Sequence, residues 1–245
     1  MSLEFLSVEA AAQSGFAPLA RSPMEPVAVA AGGRTAVRDG WMILTGFASP
    51  EAERDLCRSS VGFADSSPLG KLEVQADPAE LEDVVRRVTG ASPQPGEAIR
   101  HAGAWWCPLT RSRLLVIGEV RAARAELREA LDGLTAPAAL TDVTSALAAL
   151  TLLGPAARET IARFCALDLR PHLTPVGSLR PGSVARQPGI LLCEAAERYL
   201  LLFGWAVSEY MWTVVSDAAG ALGGGPVGAD RLQEQSAGEE VAVGA

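Results

Sequence analysis

The sequence predicts an α+β fold built from two related strand–helix–strand modules with antiparallel sheets. Three observations support this prediction: strands and helices alternate in both halves, two pairs of neighbouring strands are spaced as hairpins, and the halves share a weak internal repeat. The chain has 245 residues, of which 49% are hydrophobic. This length fits one large domain or two small ones, and the composition is sufficient for a core.

Two predicted helix starts separate the elements of the first half of the chain. Ser49 stands before Pro50 and Asp77 before Pro78, and each pair is typical of a capped helix N-terminus with proline in the first turn. The expected elements follow in this order: a strand over Trp41–Phe47, a helix from Ser49 to Cys57, a strand over Leu69–Gln75, a helix from Asp77 to Gly90, a hairpin of strands over Ala104–Leu109 and Arg113–Gly118, and a helix over Arg121–Leu131.

The second half repeats this alternation. Gly154-Pro155 breaks an apolar strand and starts a helix. The expected elements are a strand over Ala146–Leu153, a helix over Ala156–Phe164, a strand over Ser178–Val184, a hairpin of strands over Ile190–Cys193 and Arg198–Phe203, and a helix over Ala206–Ala219.

A single constant offset relates the two halves. It aligns Pro78 with Pro155 and Glu82 with Glu159, among several matches. Two amphipathic helices that follow strands also resemble one another by chance, so both explanations stay open.

These patterns divide the chain into three parts. Residues 1–40 are expected to form an extended N-terminal arm, because prolines interrupt a segment rich in alanine, glycine and serine. Residues 41–222 form the domain, with modules at about 41–135 and 136–222. Residues 223–245 are glycine-rich, polar and acidic, which predicts a flexible tail.

Charge and composition exclude several classes of function. The chain carries 21 basic and 29 acidic residues, a net charge of −8, which disfavours nucleic acid and anionic membranes as partners. Its four cysteines lack C-x-x-C spacing and its two histidines lack metal-site spacing, so we expect reduced cysteines and no metal. A positive N-terminal region and an apolar run of membrane-spanning length are absent, so the expected location is cytoplasmic.

The sequence also lacks a nucleophile elbow, a P-loop and a dinucleotide-binding glycine motif. Asp65 is the most interesting carboxylate, because it lies just ahead of a predicted strand that carries Lys71, the only lysine. The structural alternative is that Asp65 and its neighbouring serines cap a turn while Lys71 faces solvent from the strand.

Three segments resemble a known superfamily. Gly62-Phe-Ala-Asp-Ser-Ser-Pro-Leu-Gly-Lys-Leu-Glu-Val74 is similar to a pattern near the start of the glycine-cleavage T protein. Thr141–Arg158 resembles the second landmark of that superfamily, a D-x-T/S-x-x-x-A stretch leading through a strand to G-P-x-A-R. Cys165–His172, followed by Pro175–Gly177, looks closer to the gamma subunit of heterotetrameric sarcosine oxidase, and the likeness extends over about residues 20–220.

The resemblance implies the folate-binding fold of the aminomethyltransferases for residues 41–222. It also implies Asp65, Ser67, Lys71 and Arg198 as candidate ligand-binding residues, with no catalytic residue and no metal ligand.

Departures from the family pattern affect the functional expectation. The catalytic aspartate of the T protein belongs to a stretch that corresponds here to His101–Leu109, which contains no carboxylate. The folate-contacting glutamate pattern is missing from Ala196–Gly204, and Pro68 replaces the histidine of the first motif. The chain also has no room for the further C-terminal barrel of the T protein.

We therefore expect a non-catalytic, gamma-like small subunit of a heteromeric sarcosine or N-methyl amine oxidase. Its partner would be a larger flavoprotein subunit that holds the FAD, and tetrahydrofolate would bind in this chain or in the partner. The first alternative is a stand-alone tetrahydrofolate-dependent one-carbon transfer or tailoring enzyme. The second is a structural or regulatory interaction protein.

Overall fold

The computed structural model describes residues 19–232, which form four layers in the order helices, sheet, sheet, helices. The strands are β1 (Ala20–Arg21), β2 (Arg34–Arg38), β3 (Trp41–Gly46), β4 (Gly62–Asp65), β5 (Gly70–Gln75), β6 (Ile99–His101), β7 (Ala104–Thr110), β8 (Arg113–Gly118), β9 (Ala139–Asp142), β10 (Leu147–Leu153), β11 (Leu179–Val184), β12 (Gln187–Ala195), β13 (Arg198–Gly204) and β14 (Gly225–Pro226). The α-helices are α1 (Glu25–Ala30), α2 (Pro50–Ser59), α3 (Pro78–Thr89), α4 (Val120–Asp132), α5 (Ala157–Ala162) and α6 (Ser208–Gly220).

The strands form two large sheets and one small one. The first sheet has the order β6-β7-β8-β5-β9, and the second has the order β11-β12-β13-β10-β4-β14. The small sheet has the order β1-β3-β2. Neighbours in the first sheet are antiparallel throughout, as are those in the second except for β14, which runs parallel to β4. The predicted α+β class with antiparallel sheets is confirmed.

The chain contains two repeats of the same element order, and the first strand of each repeat belongs to the sheet of the other repeat. The first repeat runs β4, β5, α3, β6, β7, β8, α4, and the second runs β9, β10, α5, β11, β12, β13, α6. Strand β4 pairs with β10 in the second sheet, whereas β9 pairs with β5 in the first sheet. The offset between β4 and β9 is the one that aligns Pro78 with Pro155. The weak sequence repeat therefore has a counterpart in the order of strands and helices, and the two copies of that order are interleaved.

Alternation along the strands explains the layers. In β5, Leu72 and Val74 pack against α3 and α4, so Lys71 and Glu73 belong to the opposite face, toward the second sheet. The two sheets pack against each other through a buried apolar cluster that includes Trp105 of β7 and Leu200 of β13. Both faces of each large sheet are therefore covered.

Local sequence signals place the helices as expected. The Ser49 hydroxyl accepts a hydrogen bond from the N–H of Ala52, and the Asp77 carboxylate accepts one from that of Ala79. Gly90 ends α3 in the left-handed conformation, with φ of 75°, a position that favours glycine. The predicted starts of α2 and α3 are confirmed.

The N-terminal region differs from the extended arm that we expected over residues 1–40. Residues 1–18 lie outside the described part, but residues 19–40 contain α1 and β2, and β2 forms a hairpin with β3. The hairpin turns at Asp39 and Gly40, which both have positive φ, at 49° and 76°. An Asp-Gly pair is a strong hairpin signal, and here it determines the local structure despite the prolines earlier in the segment.

Part of the expected C-terminal tail is also ordered. Strand β14 pairs with β4, and Val227 is buried against Cys57 and Leu153. The Asp230 carboxylate forms an ion pair with Arg38 of β2. Residues 233–245 lie outside the described part of the chain.

Candidate functional site

The predicted site residues Asp65, Ser67 and Lys71 come together where the chain crosses from the second sheet to the first. Asp65 ends β4, Ser67 lies in the connecting turn, and Lys71 is the second residue of β5. The side chains of Ser67 and Lys71 are completely buried, and Asp65 is 8% exposed. Burial of three polar residues in one turn requires hydrogen-bonding partners, because an unpaired buried polar group is costly.

Asp65 holds the turn through its carboxylate. Its Oδ1 atom accepts a hydrogen bond from the backbone N–H of Ser67 at 2.9 Å. Burial raises the pKa of Asp65, while hydrogen bonds from Ser22 and Ser67 and the charge of Lys71 act in the opposite direction. The carboxylate is thus an internal acceptor of the turn.

Lys71 points into the protein. Its Nζ atom donates hydrogen bonds to the backbone carbonyl oxygens of Ser67, at 2.9 Å, and Leu69, at 2.8 Å. Burial lowers the pKa of Lys71 to about 8, and the charges of Asp65 and Asp142 oppose this shift. The alternative that Lys71 faces solvent is wrong, because the second sheet covers the face of β5 on which it lies.

The serines of the turn make buried contacts to β10. The Ser67 hydroxyl accepts a hydrogen bond from the backbone N–H of Ala149 at 3.2 Å. The Ser66 hydroxyl is 2.6 Å from that of Thr151. These contacts join the turn of the first repeat to a strand of the second repeat.

Arg198 lies apart from the other three predicted residues. It pairs with Leu153 at one end of β10, whereas Asp65 pairs with Leu150, a separation of three strand residues or about 10 Å along the strand. The Arg198 Nε atom donates to the Glu194 carboxylate at 3.0 Å. That carboxylate also accepts the indole N–H of Trp105 at 3.0 Å.

Sequence reasoning missed two participants, Asp142 and Thr144. The Asp142 Oδ1 atom accepts the backbone N–H of Thr144 at 2.9 Å, and the Thr144 hydroxyl accepts that of Lys71 at 3.0 Å. The offset that aligns Pro78 with Pro155 also aligns Asp65 and Ser67 with these two residues. The internal repeat was the signal that could have identified them.

The buried trio does not fit tetrahydrofolate, the cofactor that the resemblance implies. The Asp65 carboxylate, the Ser67 hydroxyl and the Lys71 ammonium all bond to backbone groups of this chain. A molecule of that size needs a concave opening, and these side chains are at most 8% exposed. A ligand could reach them only if this part of the fold opened, so their predicted ligand-binding role stays a prediction.

A surface cavity of about 310 Å³ lies elsewhere, between α3, the loop over residues 92–95 and the β7–β8 turn. Its apolar floor includes Leu81 and Leu114, and it contains none of the predicted site residues. Within residues 19–232, no three or more side chains of the metal-binding types group together. No helix of that region is long and apolar enough to cross a bilayer.

The fold resembles two solved structures. A chain of heterotetrameric sarcosine oxidase from Corynebacterium sp. U-96 matches with a TM-score of 0.64 and 21% identity, over 82% of this chain and 95% of that one. The glycine cleavage system aminomethyltransferase T of Bartonella henselae matches with a TM-score of 0.68 and 14% identity, over 87% of this chain and 61% of that one. No protein-family model matches the sequence, and no curated protein does either.

These likenesses confirm the predicted fold. The chain has the aminomethyltransferase folate-binding fold, which it shares with a chain of sarcosine oxidase. At this level of identity the likeness extends to the fold alone. The chain spans about three fifths of the aminomethyltransferase but almost the whole of the sarcosine oxidase chain.

Proposed function

We propose that the chain is a non-catalytic small subunit of a heteromeric oxidase that acts on sarcosine or another N-methyl amine. The observation that most supports this proposal is the extent of the structural match. It covers 95% of a sarcosine oxidase chain but only 61% of the aminomethyltransferase. A fold that matches almost the whole of one chain of a heterotetramer is the fold expected of such a subunit.

The interior of the candidate site agrees with a non-catalytic role. A catalytic acid or base has to reach substrate, directly or through one water molecule. The Asp65 carboxylate and the Lys71 ammonium are instead buried and bonded to the chain itself. The stretch His101–Leu109, which by the resemblance corresponds to the one that carries the catalytic aspartate in the T protein, contains no carboxylate.

The larger partner would then hold the cofactors. A flavin held by that partner would supply the two-electron oxidation of the N-methyl group. In this proposal FAD binds in the larger subunit, and so does any tetrahydrofolate. The small subunit contributes contacts and stability.

Affinity capture from the native cells tests the proposal. We expect a tagged chain, produced at its natural level, to retain a larger protein with flavin absorbance and sarcosine-dependent peroxide formation. A captured chain with no flavin and no oxidase activity would contradict the proposal.

The stand-alone enzyme remains the rival, because the aminomethyltransferase match has the higher TM-score of the two. Calorimetric titration of the isolated chain with 5-formyltetrahydrofolate, a stable reduced folate, distinguishes the stand-alone enzyme from the non-catalytic subunit. Saturable heat would favour the rival, and its absence would favour the subunit.

A further inference from the structure

Two turns at equivalent positions of the two repeats have the same internal geometry. In the first, the Asp65 carboxylate accepts the N–H of the residue two positions later, Ser67, at 2.9 Å. In the second, Asp142 accepts that of Thr144, also at 2.9 Å. The first turn connects β4 to β5, and the second connects β9 to β10. In each repeat the first of these strands pairs with a strand of the other repeat.

Each turn also binds a strand of the other repeat by the same pair of hydrogen bonds. Ala149 of β10 accepts the N–H of Ser66 at 2.9 Å and donates its own N–H to the Ser67 hydroxyl at 3.2 Å. Lys71 of β5 accepts the N–H of Val143 at 2.9 Å and donates its own to the Thr144 hydroxyl at 3.0 Å. The four hydrogen bonds form two matched pairs. One pair joins the turn of the first repeat to β10, and the other joins the turn of the second repeat to β5.

The strand residues of the two pairs have different side chains. Ala149 in β10 and Lys71 in β5 make equivalent backbone hydrogen bonds, but only Lys71 has a side chain that reaches a turn: its Nζ atom donates to the carbonyl oxygens of Ser67 and Leu69. The backbone of Lys71 is therefore held by the second turn, while its side chain holds the first. Its positive charge is attracted by Asp65 from β4 and by Asp142 from β9. Asp142 is in addition paired with Arg124 of α4.

We infer that the two Asp-x-Ser/Thr turns and Lys71 form a reciprocal interlock that fixes the register of the interleaved repeats. In this inference the only lysine of the chain serves the interlock rather than a ligand. The inference stands on contacts within this chain, so it holds whether or not the chain is an oxidase subunit.

Amide hydrogen exchange in the full-length chain tests the interlock. A substitution is made in the turn of one repeat, and the exchange rate is measured at the amide that this turn binds in the other repeat. Replacing Ser67 with Ala removes the acceptor of the Ala149 amide, and Thr144→Val removes that of the Lys71 amide. Loss of one hydrogen bond should raise the exchange rate of the partner amide about five- to tenfold. Thr144→Ser restores a hydroxyl and should return the Lys71 amide to its original rate. Thr213→Val is the matched control, because its hydroxyl bonds within α6 only.

Two outcomes would overturn the inference. One is a Ser67→Ala or Thr144→Val protein in which the amide of the opposite repeat exchanges at the wild-type rate. The other is saturable binding of 5-formyltetrahydrofolate that Lys71→Met abolishes while the overall fold is retained. If Ser67→Ala does not fold, Thr144→Val and Thr144→Ser still test the inference. Thr144 is only half-buried, so we expect its variants to fold. Failure of flavoprotein capture would leave these results unchanged, so the two proposals fail independently.

Discussion

The Glu53 carboxylate accepts a hydrogen bond from the backbone N–H of Gly228 at 2.9 Å, although the two residues are far apart in the sequence. Its other oxygen accepts the N–H groups of Phe47, at 2.6 Å, and Ala48, at 3.0 Å. This buried carboxylate therefore joins α2, the end of the small sheet and the C-terminal segment. The contact fixes Gly228, which lies in the segment that we expected to be a flexible tail.

Replacing Glu53 with Ala should leave three backbone N–H groups without their acceptor. We expect the free energy of unfolding to fall by about 3 kcal/mol, because hydrogen bonds to charged groups are stronger than neutral ones and their unpaired partners are costly. Urea unfolding followed by circular dichroism measures this loss. Glu51→Ala, an exposed change in the same helix, is the control. Equal effects of the two substitutions would show that the contact contributes little.

Lys71 should make the stability of the protein depend on pH between about 8 and 10.5. Its pKa is lowered from 10.5 to about 8 in the folded state, so the unfolded chain binds this proton more tightly. Stability therefore rises as the pH increases through this window and is lowest, for this group, below pH 8. The shift corresponds to about 3 kcal/mol.

Lys71→Met isolates this effect. The difference in unfolding free energy between wild type and variant should change by about 3 kcal/mol from pH 7.5 to 10.5. Cysteine and tyrosine ionisation cancels in that difference. A difference that stays constant across the window would contradict the lowered pKa of Lys71.

Gly154 should tolerate no side chain. Its φ is +117°, and an added Cβ would lie 2.4 Å from the Ser60 carbonyl oxygen and 2.5 Å from that of Cys57. We expect Gly154→Ala to lower the unfolding free energy by at least about 2 kcal/mol, because both neighbours are backbone atoms that cannot rotate away. Gly133→Ala meets nothing within 4 Å and should change stability little. Thermal unfolding of the two variants measures the difference. Equal unfolding midpoints for Gly154→Ala and Gly133→Ala would contradict the prediction.

The interleaved repeats should be unable to fold separately. Each half lacks the strand that completes its own sheet, because β4 and β9 pair across the halves. We expect fragments covering residues 1–135 and 136–245 to show no cooperative unfolding alone and to regain it when they are refolded together. Cooperative unfolding of either fragment by itself would be incompatible with the exchanged strands.

The sequence was sufficient for helices α2 to α6 and for the long strands, because their signals are local, whereas α1 was missed. Ser49 and Asp77 cap helices that begin where they were expected, and the offset seen between the two halves recurs in β4 and β9. Short strands were missed, since β6 has three residues and β9 has four. Strands of that length carry too few positions for a period of two to be visible.

The candidate site was harder to predict, because its partners are distant in sequence. Lys71 and Glu73 alternate with Leu72 and Val74, a pattern that normally places the charged residues in solvent. The second sheet covers that face instead, so Lys71 is buried. Arg198 was grouped with Asp65 by resemblance, whereas its carboxylate partner, Glu194, lies across the β12–β13 turn.

The mass of the native assembly tests the central proposal most directly. The chain purified under mild conditions from its own cells should appear by native mass spectrometry in a heteromer heavier than the chain alone, together with a larger subunit and bound flavin. A single species at the mass of the isolated chain, in cells that oxidise sarcosine or related amines, would contradict the proposal.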